Sequence, residues 1–163
     1  MADALDLMDL GTVECLNQNP SKPWDNVLKQ GYREDDGLHC ETDCDEQLLL
    51  TVPFKQMVKL QGIVFKGSEA ANAPKLVKLF VNRTSLGFDE AVSEPAAESF
   101  ELSEEQVAEG ALLPLKLAKF NNVRSLTIFV ENNQGDEDVT ILSKIQVFGS
   151  GIDTTNMAEF KKC

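Results

Sequence analysis

One histidine, His39, is all the imidazole in a chain of 163 residues. A nucleophilic relay through histidine would have to use it, yet no Gly-x-Ser-x-Gly elbow or comparable serine context accompanies it. A phosphate-cradling loop is missing too, because "GSEAANAPK" ends on Lys75 without the Gly-Lys-Ser/Thr arrangement. The four cysteines, Cys15, Cys40, Cys44 and Cys163, lack the dense spacing of a secreted disulfide scaffold and read as free thiols in a reducing compartment. No apolar run approaches the roughly 20 residues of a membrane-spanning helix. The opening "MADALDLMDLG" carries Asp3, Asp6 and Asp9 and no base, unlike a signal or transit peptide. A cytoplasmic or nuclear location is therefore expected, and the sequon Asn82-Arg83-Thr84 would matter only in a secreted protein.

Positive charge is also in short supply. A formal charge of −12 argues against nucleic acid, whose affinity for proteins comes largely from clustered Lys and Arg. The imbalance is local. Between Thr84 and Leu115 stand eight acids and no base, whereas Lys55 to Lys78 holds five lysines against Glu69 alone. Two readings fit: a solvated acidic connection beside a lysine-bearing strand pair, or an acidic docking surface for a basic partner. On the second, Asp89, Glu90, Glu94, Glu98 and Glu101 are the candidate partner-binding residues.

What the chain does have is period-two alternation, the mark of strands with one buried face. In "QLLLTVPF" Leu48, Leu50, Val52 and Phe54 share a face opposite Thr51, with Leu49 as an exception. Pro53 removes a ladder donor and predicts an edge position or a strand end. In "MVKLQGIVFKG" the apolar phase runs through Val58 and Leu60 and then shifts to Ile63 and Phe65, which predicts a bulge near Gly62. Three more runs align Val77, Leu79 and Val81; Leu126, Ile128 and Val130; and Val139, Ile141, Ile145 and Val147, the last against Thr140, Lys144 and Gln146. Helical signals are short: Ser103 as N-cap with Gln106 and a stop at Gly110, and Asn156 with Glu159 near the C-terminus. Strands alternating with long helices are absent, and no repeat or low-complexity linker appears. The pattern specifies an all-β sandwich with jelly-roll-like connections and one or two short helices, in one domain over 1–163. Pro53 and Lys59 on edge strands would guard against pairing and favour a monomer.

The stretch "LHCETDCDEQLLLTVPF", Leu38 to Phe54, holds the residues best suited to chemistry. A redox pair of Cys40 and Cys44 would need a field that lowers one thiol pKa, but the surrounding acids raise it. A zinc site would need about four ligands in two close pairs. His39, Cys40 and Cys44 form no second pair, although Cys15 could join them. The plainer reading makes Asp43, Asp45 and Glu46 a turn at a strand entry, with Cys40 and Cys44 tucked inward. Trp24 reads as a cover over the end of the core. As a small-ligand or carbohydrate binder, the chain would have to stack sugars on Trp24 or Tyr32.

"DCDEQLLLTVPF", "PKLVKLFVN", "ALLPLKLAKFNNVRSLTIFVENNQG" and "TNMAEF" resemble the PITH domain, the module that follows the thioredoxin domain in thioredoxin-like proteins associated with the proteasome. The resemblance runs from about Cys15 to Phe160. It implies a galactose-binding-domain-like β-sandwich and an interaction module that docks onto the regulatory particle of the 26S proteasome, with proteasome regulatory subunits as partners. Together with the missing catalytic constellation it leads to the expectation of a non-enzymatic module, and no cofactor or metal is expected. The Trp-Cys-Gly-Pro-Cys site of the thioredoxin domain is missing from this sequence, so the resemblance implies a stand-alone PITH protein without that domain's reductase activity.

Overall fold

The computed structural model describes residues 2–28, 38–83 and 85–152. The expected C-terminal helix around Asn156, and with it Tyr32 and Cys163, lie outside these residues.

Strand β3 (Leu48–Lys66) organises the architecture. Its 19 residues join the two runs read separately in the sequence. The N-terminal half lies between β1 (Glu14–Leu16) and β7 (Val123–Val130), and the layer continues through β4 (Leu76–Val81) to the edge strand β5 (Glu98–Glu101). The C-terminal half pairs with β9 (Lys144–Gly151) and with β6 (Leu112–Pro114) to build the facing layer. A short ladder of β2 (Cys40–Glu41) and β8 (Ile141–Leu142) closes one end. All these pairings are antiparallel.

One core fills the space between the layers. Leu48, Leu50, Val52 and Phe54 point into it, and so do Val58, Leu60, Ile63 and Phe65. The change from even to odd numbers follows from a register shift between Leu60 and Gly62 against β9, which is the bulge predicted near Gly62. Without that extra residue, half of β3 would turn its apolar side chains to water. Leu126, Ile128 and Val130 meet Val77 and Leu79 in the same core, as their phase predicts.

Pro53 corrects one expectation. It lies inside β3, opposite Ser125, and not at a strand end or on an edge. Its carbonyl accepts from the Asp9 N–H at 2.8 Å, and within a strand a residue's N–H and C=O face the same side. The missing donor therefore faces the N-terminal segment beyond the β1 ladder, where no regular partner is left unsatisfied. Since β3 is internal, Pro53 and Lys59 are not edge guards, and the argument for a monomer built on them falls away.

The last predicted strand is divided at Ser143. Ile145 and Val147 enter the core as predicted, but Leu142 does so in place of Ile141, which like Val139 is only half-buried, while Thr140 and Lys144, assigned to the polar face, are buried. Thr140 belongs to a network. Its hydroxyl donates to the Glu46 carbonyl at 2.6 Å and accepts from Asn133 Nδ2 at 3.1 Å, and its N–H reaches Thr42 Oγ1 at 3.0 Å. Helices are short, as expected. Helix α3 (Glu104–Glu109) has the predicted ends: Ser103 Oγ accepts from the Gln106 N–H at 3.1 Å, Gln106 Oε1 accepts from the Ser103 N–H at 2.9 Å, and Gly110 sits at φ 70°. The described residues contain three more, α1 (Asp25–Leu28), α2 (Phe88–Ser93) and α4 (Leu117–Phe120), that the spacing does not signal.

Candidate functional site

Helix α2 explains Leu49. Leu86 and Ala91 are buried with Leu49, Phe80 and Phe129 in a second cluster on the outer face of the β3-β7-β4 layer, with Phe88 and Ala96 packed against it. Phe88 meets Phe129 edge to face, ring centres 6.2 Å apart. The acidic segment is thus a lid with an apolar underside, and its charges are what that lid shows to solvent.

These acids are not equivalent. Asp89 and Glu101 are exposed. Glu90 is exposed too, but its Oε1 accepts from the Gly87 N–H at 3.0 Å and caps α2. Glu94 is bound by Arg83, with Nη2 to Oε1 at 2.6 Å, and Glu98 accepts from the Ser99 N–H at 3.2 Å. In β5 the alternation places Glu98 and Glu101 on opposite faces. The five candidates therefore divide into an α2 group and a β5 edge group. Arg83 escaped the charge count because it stands one residue before the base-free window. Lys78 also reaches this region: its Nζ donates to the Val92 carbonyl at 3.1 Å and lies 3.4 Å from Glu131 Oε1.

The strand-entry turn forms as expected around Asp45. Its Oδ1 accepts from the Gln47 N–H at 3.0 Å and from Asn17 Nδ2 at 2.8 Å. Asn17, at φ 68°, is the residue that sequence reading missed; its Oδ1 takes the Cys44 N–H at 2.9 Å. This anchoring turns Cys44 outward, against the expectation that it tucks in, whereas Cys40 is fully buried. The neighbour of Cys40 is Cys15 on β1, not Cys44. The hydrogen bond between the two thiols, then burial, then the charge interaction with Cys40, push the Cys15 thiol above its ordinary value of 9.0. A thiol held protonated is a poor nucleophile and a poor metal ligand. His39 Nε2 lies 3.3 Å from Glu41 Oε2. Among the described residues, no three His, Cys, Asp or Glu side chains come together to hold a metal.

Trp24 covers the core as expected, half-buried against it. Asn82 is fully engaged. At φ 57° its Oδ1 accepts from the N–H groups of Arg124 and Ser125 at 2.7 and 3.3 Å, and its Nδ2 donates to the Asn122 carbonyl at 3.0 Å. The sequon asparagine is thus a structural tie between the ends of β4 and β7.

Two antiparallel layers hinged on one long bent strand define a galactose-binding-like β-sandwich. The family 32 CBM from Clostridium perfringens NanJ, solved in complex with galactose, superposes with a TM-score of 0.61 at 10% identity, over 90% of this chain and 96% of that one. A family 89 glycoside hydrolase from the same organism gives 0.64 at 14% identity, over 93% of this chain and 15% of that one. Likeness at such identities concerns the fold. The chain belongs to the PITH domain family, whose pattern it matches over residues 2–163. Thioredoxin-like protein 1 of Schizosaccharomyces pombe is 34% identical over 155 residues, covering 92% of this chain and 52% of that protein. A PITH domain-containing protein of Drosophila melanogaster is 35% identical over 143 residues, with 87% and 66% covered. PITH domain-containing protein 1 of Homo sapiens is 30% identical over 141 residues, with 82% and 63% covered. The chain spans about half to two-thirds of the length of these relatives.

Proposed function

We propose that this chain is a non-enzymatic interaction module that docks onto the regulatory particle of the 26S proteasome. Membership of the PITH family over residues 2–163 carries the reading. The acidic lid supports it as a contact surface. Asp89 on α2 and Glu101 on the exposed side of β5 are free to meet a basic partner, while Glu90, Glu94 and Glu98 are occupied in holding their own elements.

The test uses the purified chain with isolated 26S particles and, separately, with core particles that lack the regulatory part, on native gels at low and moderate salt. Co-migration with the 26S particle alone, fading as salt rises, is the expected result. Absence of co-migration at low salt would refute docking. The paired reversal Asp89→Lys with Glu101→Lys is expected to weaken binding. Docking that survives the reversal unchanged would place the contact elsewhere on the domain.

A further inference from the structure

Where β3 and β7 lose register between Pro53 and Val58, the outer face of the sandwich opens into a pocket of about 250 Å³. Pro53 gives it an apolar surface on the outer side of β3, beside Thr51, and Thr12 and Glu14 line it from the N-terminal segment. Two of the three arginines in the sequence, Arg83 and Arg124, line it together with Ser125. Asn82 creates this convergence. It stands next to Arg83 in the chain and accepts from the backbone N–H groups of both Arg124 and Ser125, so one left-handed residue brings both guanidinium-bearing segments to the same opening.

The two guanidinium groups differ in what they have left to offer. Arg83 is paired with Glu94 at 2.6 Å. Arg124 is exposed, and among the described residues its guanidinium has neither a hydrogen-bond acceptor nor a carboxylate partner. On a protein of net charge −12, an exposed arginine lining a pocket with no acid bound to it is a vacant fork for an oxyanion. Locally, Arg83 and Arg124 balance Glu14 and Glu94. A dianionic phosphate would overcharge such a site, whereas a single carboxylate matches the one free fork. The volume falls below the roughly 300–1,000 Å³ of whole-ligand pockets, which suits one side chain or a short acid and not a nucleotide.

We propose that this pocket binds one carboxylate group, with Arg124 as the principal donor, Ser125 as a second donor, and the Pro53 ring taking the adjoining methylenes. The inference stands apart from proteasome docking, because it concerns a separate pocket beside the acidic lid on the same outer face and an acidic rather than a basic ligand.

The test is a titration of ¹⁵N-labelled protein, followed by amide shifts, with three probes: N-acetyl-glutamic acid amide, its neutral isostere N-acetyl-glutamine amide, and propionate. Saturable shifts centred on Asn82, Arg124 and Ser125 are expected for the glutamic acid probe, with a dissociation constant of about 1 mM, the range of a single ion-paired fragment. The same shifts with propionate would identify a free short acid as sufficient. Their absence with propionate would identify an acidic side chain in a peptide frame as the ligand. Arg124→Ala is expected to weaken binding at least about tenfold. Arg124→Lys should fall between, and Lys119→Ala, an exposed cation on α4, should change nothing. Equal binding of the glutamine probe, no saturable response to either acid, or an Arg124→Ala variant that binds as well as the parent would each overturn the proposal.

Discussion

Replacing Leu49 by alanine tests whether α2 and its flanks form a second core or merely rest on the sheet. By strict alternation Leu49 shares the face of Thr51 and would look at solvent, where truncation to alanine shifts stability by no more than about 0.5 kcal/mol. The side chain is 1% exposed, enclosed with Phe80, Leu86, Ala91 and Phe129. Truncation then removes three buried carbons and leaves a void that the sheet cannot fill, because Leu49 is fixed by its pairing with Leu16 on one side and Phe129 on the other. Such changes cost about 2–5 kcal/mol, and a mid-range loss of about 3 kcal/mol is expected. For a chain of this size that corresponds to a fall in Tm of about 6–12 °C. Urea unfolding of parent and variant, compared at equal m-value, measures it. A loss below about 0.5 kcal/mol would refute the second core and return the acidic segment to the status of a loosely attached connection.

The Asn133→Ala variant removes an amide that donates to the Glu137 and Val139 carbonyls and to Thr140 Oγ1, and accepts the Glu137 N–H. A loss of about 2–4 kcal/mol in urea unfolding is expected, and an effect under 1 kcal/mol would show that water replaces the network. Gly149→Ala would drive a Cβ into the Lys59 carbonyl where β9 crosses the bulge of β3, so it should destabilise by about 1–3 kcal/mol. Equal stability there would mean that the two strands can part without penalty. The Cys15 thiol, held protonated in the folded state, predicts a pH effect. Above its ordinary value of 9.0 the unfolded chain releases this proton and the folded chain keeps it, so stability falls as pH rises through that point. Cys15→Ala should flatten the alkaline slope of stability against pH, and an unchanged slope would assign it to other groups.

Much of this architecture was legible in the residues. Alternation identified the inner face of β3, β4 and β7 because a half-buried strand must segregate apolar from polar side chains. The phase change at Gly62 located the bulge, and Ser103, Gln106 and Gly110 delimited α3, since caps and left-handed stops are local matters of backbone hydrogen bonds. Asp45 was legible as a turn for the same reason. The sequence by itself thus determined the sheet-rich class, the faces and the local punctuation. Tertiary structure alone decided how distant pieces meet. Pro53 could lie in an internal strand only because its donor side faces the N-terminal segment. Cys40 found Cys15 instead of the nearer Cys44 because Asn17 holds the intervening turn outward. Arg83 neutralises Glu94, and Asn82 gathers Arg83 and Arg124 at one opening, across separations of 11 and 42 residues that no local pattern encodes. Such pairings follow from the crossing of layers, and a linear alternation of side chains contains each face but not which face, or which charge, it will meet.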